Sequence, residues 1–351
     1  MFQRILVPLD GSARAERALP VAARIARACG ASIILLRVAT TPLSDGGHKI
    51  GPFPLTQAVV EADIAAAASC LTALTASDDL NLEGIGVKTR VVPGHAASTI
   101  LDVSREEQVD LIVMCSHGET GFKRWLVGSV AQKVAQHCPV SVFILREDSP
   151  LPLSSYPDRL HPLRPLMGIV ALDGSASAEA ALVPAASLVA ALAAPARGTL
   201  LLTRVVTQPE PHAEHAHQEK SAPRMMEQEL EEASRYLGGV AQRLRTGPLA
   251  ALDLTIVWTV AMSTDRAGSL IRLAEHGEDD EGMHPFGSCD LIAIAACGRE
   301  GVQHFAIGSV AWRLLGATKL PLLIMHSACI GVDKQQPTED GLAEAENFVT
   351  K

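Results

Sequence analysis

The chain contains 351 residues, which at roughly 150 residues per domain makes two domains the first expectation. Hydrophobic residues make up 48% of the sequence and aromatic residues only 3%, so we exclude wholesale disorder and expect cores of Ala, Val, Leu and Ile. The net charge of −9 argues against a nucleic-acid-binding protein, which needs a basic face for the phosphates.

The first 150 residues predict strands and helices in strict alternation. Apolar or alternating runs predict strands at residues 4–9, 32–38, 87–92, 111–114 and 140–145. Helical spacing predicts helices at residues 15–29, 58–76, 97–107 and 129–137, with Ser12 before the first helix and Gly30 ending it. This order is typical of a parallel sheet with right-handed crossovers and helices on both faces. Ligands of such sheets bind at the carboxyl ends of the strands, where Asp10 and residues 114–118 are expected to meet.

Three segments of the first half return later in the same order. Residues 5–12 recur at 169–175, residues 33–38 at 200–205, and Gly118 with residues 128–131 recur as Gly298 with residues 308–311. The offset grows from 163 to 167 and then 180 residues, and an acidic segment, 275–281, is expected to be a solvated loop inserted in the second copy. The repeat predicts two copies of one domain, at 1–147 and 166–327, joined by a proline-rich linker at 148–165 and followed by a polar tail at 328–351.

Seven cysteines without a C-x-x-C pair predict free thiols in a reducing cytosol rather than disulfides or a zinc site. The first strand begins almost at Met1, so no signal peptide is expected. The most apolar stretch, 180–196, is short and carries Pro184 and Pro195, which favours a buried helix over a membrane span. We therefore expect a cytoplasmic protein that does not bind membranes.

One glycine-rich segment carries the candidate chemistry. Cys115-Ser116-His117-Gly118 follows the strand at 111–114, and nine residues later Gly128-Ser129-Val130-Ala131 opens a helix. The free N–H groups and positive dipole of a helix N-terminus attract phosphate, and glycine lets a phosphate approach the backbone closely. A strand–loop–helix junction with a serine cap has the same pattern without any ligand, so these residues alone leave both interpretations open.

The combination of Pro8-Leu9-Asp10, Arg37-Val38, Gly94-His95-Ala96 and G-x9-G-S resembles the universal stress protein family. Both copies share the resemblance, which implies two repeated five-stranded parallel α/β sandwich domains of the adenine nucleotide alpha hydrolase-like type. It also implies ATP as ligand, with or without Mg²⁺, with Asp10 at the ribose, Val38 at the adenine and the glycine-rich segment at the phosphates. The nucleotide-binding residues so implied are Pro8, Asp10, Val38, Met114, Cys115, His117, Gly118, Gly128, Ser129 and Val130. Their counterparts in the second copy are Asp173, Val205, Ile294, Ala295, Gly298, Gly308, Ser309 and Val310.

The sequence also departs from the family pattern. Cys115 and Ala295 stand where the motif has its first glycine, and Ala296-Cys297 replaces Ser116-His117, so the second site is expected to bind nucleotide less well. His212, His215 and His217 favour a polar loop over a metal site, and we assign no metal ligands.

The function that follows is a nucleotide-binding stress-response sensor rather than an efficient enzyme. No P-loop or kinase motif is present, and no catalytic residue is assigned. Two alternatives stay open: an adaptor of the same fold without nucleotide, and a slow ATPase. The family resemblance also implies that residues 140–145 and 320–325 pair within the chain as a pseudo-dimer, with a homodimer as a further possibility.

Overall fold

The structure is a computed structural model that describes residues 1–39, 57–77, 80, 82–117, 127–146, 165–207, 222–279, 282–283, 286–296 and 307–326. The first half alternates strands and helices as the apolar periodicity predicts. Its elements are β1 (Arg4–Leu9), α1 (Ala13–Glu16), α2 (Ala18–Cys29), β2 (Ser32–Ala39), α3 (Gln57–Thr75), β3 (Val87–Pro93), α4 (Ala96–Glu106), β4 (Leu111–Cys115), α5 (Ser129–His137) and β5 (Ser141–Leu145).

The second half repeats this order, with a 3₁₀ helix (Pro248–Leu252) before its third strand and a short antiparallel strand pair before its fourth. Its elements are β6 (Met167–Ala171), α6 (Ala176–Glu179), α7 (Leu182–Ala193), β7 (Thr199–Val206), α8 (Ala222–Thr246), β8 (Thr255–Met262), α9 (Arg266–His276), β9 (Glu278–Asp279), β10 (Gly282–Met283), β11 (Leu291–Ala295), α10 (Ser309–Ala317) and β12 (Leu322–Met325).

The two halves form one mostly parallel ten-stranded sheet in the order β3-β2-β1-β4-β5-β12-β11-β6-β7-β8. Within each half all neighbouring strands are parallel. The chain winds outwards from β1 through β2 to β3, then returns to place β4 and β5 on the other side of β1. Helices cover both faces, and on each face the buried apolar core is continuous from one half to the other.

The halves meet at the antiparallel pair β5–β12, which we call the seam. These are the strands for which the family resemblance implied pairing. In the seam, Phe143 lies opposite Leu323, and the equivalent pairing of β4 with β5 and of β11 with β12 shows that these two residues are counterparts, 180 residues apart. A pseudo-two-fold axis therefore passes between Phe143 and Leu323. The seam satisfies the inner edge of each half-sheet, which would otherwise expose unpaired backbone groups.

Two side chains cross the seam in matching positions. Arg146, just after β5, donates from Nη2 to the carbonyl oxygen of Leu315 in α10 at 2.5 Å. Its counterpart His326, just after β12, lies with Nε2 2.8 Å from the carbonyl oxygen of Ala135 in α5. Burial lowers the pKa of Arg146 to about 10 and also lowers the pKa of His326. Each half thus hydrogen-bonds a carbonyl in the last helix of the other.

The first predicted helix begins two residues earlier than expected and is interrupted at Arg17, between α1 and α2. The reason is Pro20, whose ring would collide with the carbonyl of residue 16 in a continuous helix but is tolerated in the first turn of α2. Gly30 ends α2 with a left-handed φ of 68°, which confirms the predicted stop.

The prediction of a solvated loop at residues 275–281 is wrong for its described part. Residues 275 and 276 belong to α9, and β9 pairs antiparallel with β10. The Glu275 carboxylate accepts hydrogen bonds from Lys319 N at 2.6 Å and from Thr318 Oγ1 at 2.8 Å, so this charge orders the turn before β12. The pattern of like charges predicted solvent exposure, but it could not show that the Glu275 carboxylate is hydrogen-bonded by a backbone N–H and a hydroxyl group.

The stretch Ala176–Ala193 is long and apolar enough to cross a membrane, but 67% of it is buried inside the fold. It contains α6 and α7, and α7 packs against α2 of the first half and against β6. The buried helix expected there is therefore part of the core. The linker at 148–164, the tail from residue 327 onwards and the three histidines at 212–217 lie outside the described residues.

Candidate functional site

The candidate site lies at the carboxyl ends of β1, β2 and β4. Because β1 stands between β2 and β4 and the winding direction reverses there, a crevice is expected beyond these strand ends. Asp10 follows β1, Val38 is the penultimate residue of β2, and Cys115 ends β4. The topology therefore brings the predicted residues of three separate segments to one edge of the sheet.

Asp10 organises the turn that leaves β1. Its Oδ1 accepts hydrogen bonds from Ser12 N at 2.9 Å and from Ser12 Oγ at 2.6 Å. Ser12 Oγ in turn accepts from Ala15 N at 3.1 Å and so caps α1, as the sequence predicted for this serine. The carboxylate thus has a structural task at the crevice in addition to any contact with a ligand.

The apolar members of the predicted set lie at the same edge of the sheet, near the strand ends and the start of α5. Pro8 is half-buried in β1, and Met114 is buried, with only 6% of its surface exposed. Val38 and Val130 are half-buried and pack against the same core as Met114. Pro8, Val38 and Val130 therefore provide a partly exposed apolar surface at this edge, whereas Met114 is almost fully buried below them.

The end of β4 presents a thiol, a hydroxyl and an imidazole in succession. Burial raises the pKa of the half-buried Cys115 to about 11, which the charge of nearby Arg17 opposes. Ser116 Oγ lies 3.1 Å from His117 Nδ1. Together with Arg14 and Arg17, these three residues line one narrow cleft. Gly118, the next predicted residue, lies outside the described residues.

Gly128 brings the start of α5 against the end of β4. Its N–H donates to the carbonyl oxygen of Ser116 at 2.8 Å. A Cβ at this position would lie 3.0 Å from that oxygen and 3.7 Å from His117 Cα, so only glycine leaves the approach unstrained. Ser129, the first residue of α5, is exposed. The helix N-terminus therefore opens directly beside the cleft, as phosphate binding requires.

Three arginines at this edge were missed as site residues by the sequence reasoning. Arg14 and Arg17 line the cleft, and the Arg37 guanidinium occupies the space where a Cβ of Gly11 would lie. Gly11 has a left-handed φ of 83°, so glycine is favoured there on both counts. A signal did exist for Arg14 and Arg17, because the second copy carries neither arginine within an otherwise matching segment.

The second half reproduces the backbone geometry of the first. Asp173 Oδ1 accepts from Ser175 N at 2.9 Å and from Ser175 Oγ at 2.6 Å, and Gly308 N donates to the carbonyl oxygen of Ala296 at 2.6 Å. Ile294 and Ala295 are buried, Val205 and Val310 are half-buried, and Ser309 is exposed. Gly298 lies outside the described residues. This edge thus keeps the turns of the first site with alanines in place of its polar side chains.

The fold defines an α/β protein whose predicted site residues lie at a switch point of a mostly parallel sheet. A family model described as the universal stress protein family matches residues 1–146. A universal stress protein of Thermus aquaticus is 32% identical over 148 residues, which is 42% of this chain and 100% of that protein. One from Methanocaldococcus jannaschii is 28% identical over 144 residues, 40% of this chain and 82% of that protein. The chain belongs to the universal stress protein family.

The solved structure of a universal stress protein from Archaeoglobus fulgidus shares the fold. It aligns with a TM-score of 0.58 and 17% identity and covers 92% of this chain and 98% of its own. The likeness is therefore one of fold, and it extends over both halves of the sheet.

Proposed function

We propose that this chain is a tandem universal stress protein, with domains at 1–147 and 166–327, whose first domain binds ATP or a related adenine nucleotide. The protein would act as a sensor or regulator in a stress response, with nucleotide occupancy altering its shape or its partners. The observation that carries the proposal is the direct contact of Gly128 with Ser116, which sets the N-terminus of α5 beside the end of β4.

The chemistry around that contact suits a nucleotide. The helix N-terminus supplies unpaired N–H groups for phosphate oxygens, and the half-buried Val38 supplies an apolar surface for a base. Few aromatic rings are available to stack on adenine, since the whole chain contains only 3% aromatic residues. Recognition of the base would therefore rest on aliphatic contacts and backbone groups.

Binding rather than turnover is the activity that this edge supports. His117 Nδ1 lies 3.1 Å from the hydroxyl oxygen of its neighbour Ser116, and these polar groups can hydrogen-bond a phosphate. The sequence carries neither a P-loop nor a kinase motif that would supply catalytic groups. Asp10 is the carboxylate among the predicted nucleotide-binding residues of the first domain, and its Oδ1 accepts hydrogen bonds from the N–H and hydroxyl of Ser12. ATP is therefore proposed with or without Mg²⁺, and no metal-binding role is assigned to Asp10.

The second domain is proposed to serve mainly as structure. It keeps the turn of Asp173 and the contact of Gly308, but Ala295 and Ala296 offer no polar side chain at the end of β11. A scaffold built on the same fold is thus the second candidate function, and it applies most directly to this half.

The test is to identify the ligand that co-purifies with the full chain and to measure ATP binding by calorimetry. Gly128→Trp should abolish ATP binding, because the indole would fill the space between α5 and the end of β4. Gly308→Trp places the same bulk at the matching position of the second domain and should leave most of the binding intact. Circular dichroism of both variants checks that they remain folded.

Each contrary result has a distinct meaning. Finding no released nucleotide and no heat on ATP addition would replace the proposal with the scaffold alternative. Sustained ATP turnover that Asp10→Ala abolishes would favour the slow ATPase. Equal loss of binding in the two tryptophan variants would refute the assignment to the first domain.

A further inference from the structure

The two halves differ in charge at one matching segment of the crevice. After β1 the chain reads Ala13-Arg14-Ala15-Glu16-Arg17, and after β6 it reads Ala176-Ser177-Ala178-Glu179-Ala180. The short helices α1 and α6 occupy the same place in the two halves and are capped in the same way by Ser12 and Ser175. The comparison isolates two changes, Arg to Ser and Arg to Ala, on an unchanged backbone.

Both arginines of the first half face the end of β4. Arg14 and Arg17 line the narrow cleft with Cys115, Ser116 and His117, immediately before the glycine-rich segment. The electrostatic influence of Arg17 on the Cys115 thiol indicates the same proximity. The two arginines therefore share a cleft with the residues that lead into the proposed phosphate-binding segment.

The Arg37 guanidinium adds a third positive charge at this edge, against Gly11. The carboxylates of Asp10 and Glu16 belong to the same turn and helix as Arg14. Guanidinium groups match phosphate oxygens in geometry and charge, often through two parallel hydrogen bonds. A ligand with several phosphates gains more from such a set than a ligand with one phosphate or none.

In the second half, two arginines near the matching edge contact other side chains of that half. Arg204, the counterpart of Arg37, lies 5.7 Å from the centre of the Tyr236 ring. Arg243 donates from Nη2 to Glu179 Oε2 at 2.7 Å. Ala180 is buried with 7% of its surface exposed, so the position of Arg17 is filled here by the core. The second crevice therefore has neither of the cleft arginines.

We propose that Arg14 and Arg17, supported by Arg37, form a polyphosphate-selecting cation set that belongs to the first half alone. This inference rests on the proposed nucleotide function and deepens it. The first site discriminates ligands by phosphate charge, preferring a nucleoside triphosphate over the nucleoside, while the described residues of the second site include no counterpart of Arg14 or Arg17. The selecting residues lie on α1 and on its junction with α2, outside the glycine-rich segment.

The test converts the first half into the second at these two positions. Arg14→Ser/Arg17→Ala in the full chain is compared with wild type by calorimetry against ATP, adenosine and inorganic triphosphate, at low and high salt. ATP affinity should fall by about tenfold for each arginine removed, and its dependence on salt should weaken. Adenosine affinity should change by less than about twofold, since adenosine carries no phosphate for the arginines to bind.

Arg27→Ala is the matched control. Arg27 is an exposed arginine of the same helical region, ten residues beyond Arg17 and about 15 Å along α2 at ~1.5 Å per residue. It should leave all three affinities unchanged. If the double variant unfolds, Arg14→Gln/Arg17→Gln removes the charges while keeping most of the side-chain volume.

The possible outcomes distinguish a failure of the cation set from a failure of the proposed nucleotide-binding function. ATP affinity that is unchanged in the double variant, or that falls equally in Arg27→Ala, overturns the cation set while the nucleotide function stands. Triphosphate binding that depends on the arginines, without any ATP or adenosine binding, supports the cation set and overturns the nucleotide function. A wild-type chain that binds none of the three probes overturns both.

Discussion

Replacing Phe143 by alanine tests whether the seam makes the two halves one cooperative unit. Phe143 is completely buried in β5, next to Val113 of β4 in its own half and opposite Leu323 of β12 in the other. Removing a fully buried phenyl ring costs about 3–5 kcal/mol through lost burial and the cavity left behind. That is a large share of the ~5–15 kcal/mol that stabilises a typical protein.

The tryptophans make the two halves separately visible. Trp258 and Trp312 belong to the second half, and Trp125 to the first, so Trp125→Phe confines the fluorescence signal to the second half. In that background, urea unfolding is followed by fluorescence and by far-ultraviolet circular dichroism, which reports on both halves. With a urea dependence of about 3 kcal/mol per molar or more for a chain of this size, Phe143→Ala should lower both midpoints by about 1 M.

The decisive comparison is between the two signals. If the seam couples the unfolding of the two halves, Phe143→Ala in the first half must lower the urea midpoint that tryptophan fluorescence reports for the second half. Val183→Ala, at a position that is 51% exposed, is the control and should move neither midpoint appreciably. An unchanged fluorescence midpoint, together with an earlier separate transition in circular dichroism, would refute the reasoning that the halves unfold as one.

Three further results are expected. Burial lowers the pKa of His326, so the unfolded chain takes up this proton first and stability should fall as the pH drops below about 6.5; His326→Gln should flatten that part of the stability profile. Burial raises the pKa of Cys115 to about 11, so iodoacetamide at pH 8 should label the exposed Cys70 well before Cys115, as peptide mass spectrometry can show. Ser12→Ala and Ser175→Ala should each cost about 1 kcal/mol in urea unfolding, because each removes the same helix cap; clearly unequal losses would contradict the matching geometry.

Local patterns were sufficient to predict most of the first half. The strand at β4 is continuously apolar and the helix at α5 begins at a glycine-serine pair, so both were located to within a residue. The break at Arg17 was missed because it depends on the fit of the Pro20 ring against the preceding turn, which apolar spacing does not record. Glu275 was misread for a similar reason, since its partners, Thr318 and Lys319, are more than 40 residues away.

The candidate site was predictable in its backbone and less so in its charges. Asp10, Gly128 and their counterparts Asp173 and Gly308 stand at turns with recognisable local signatures, and the structure places each of them at a strand end or helix start. Arg14 carries no local signature of this kind, and only comparison with the second copy, which has Ser177 at this position, distinguishes it. Its position in the cleft follows from how α1 lies against β4, a contact between segments about 100 residues apart.

The antiparallel seam has a consequence for how the protein can engage other molecules. Because β5 and β12 run in opposite directions, the carboxyl ends of the two sets of parallel strands face opposite sides of the molecule. β1 and β6 are also five strand positions apart, about 24 Å across the sheet at ~4.8 Å per strand. The edges at which the two halves carry their candidate sites therefore lie on opposite sides of the molecule and share no surface.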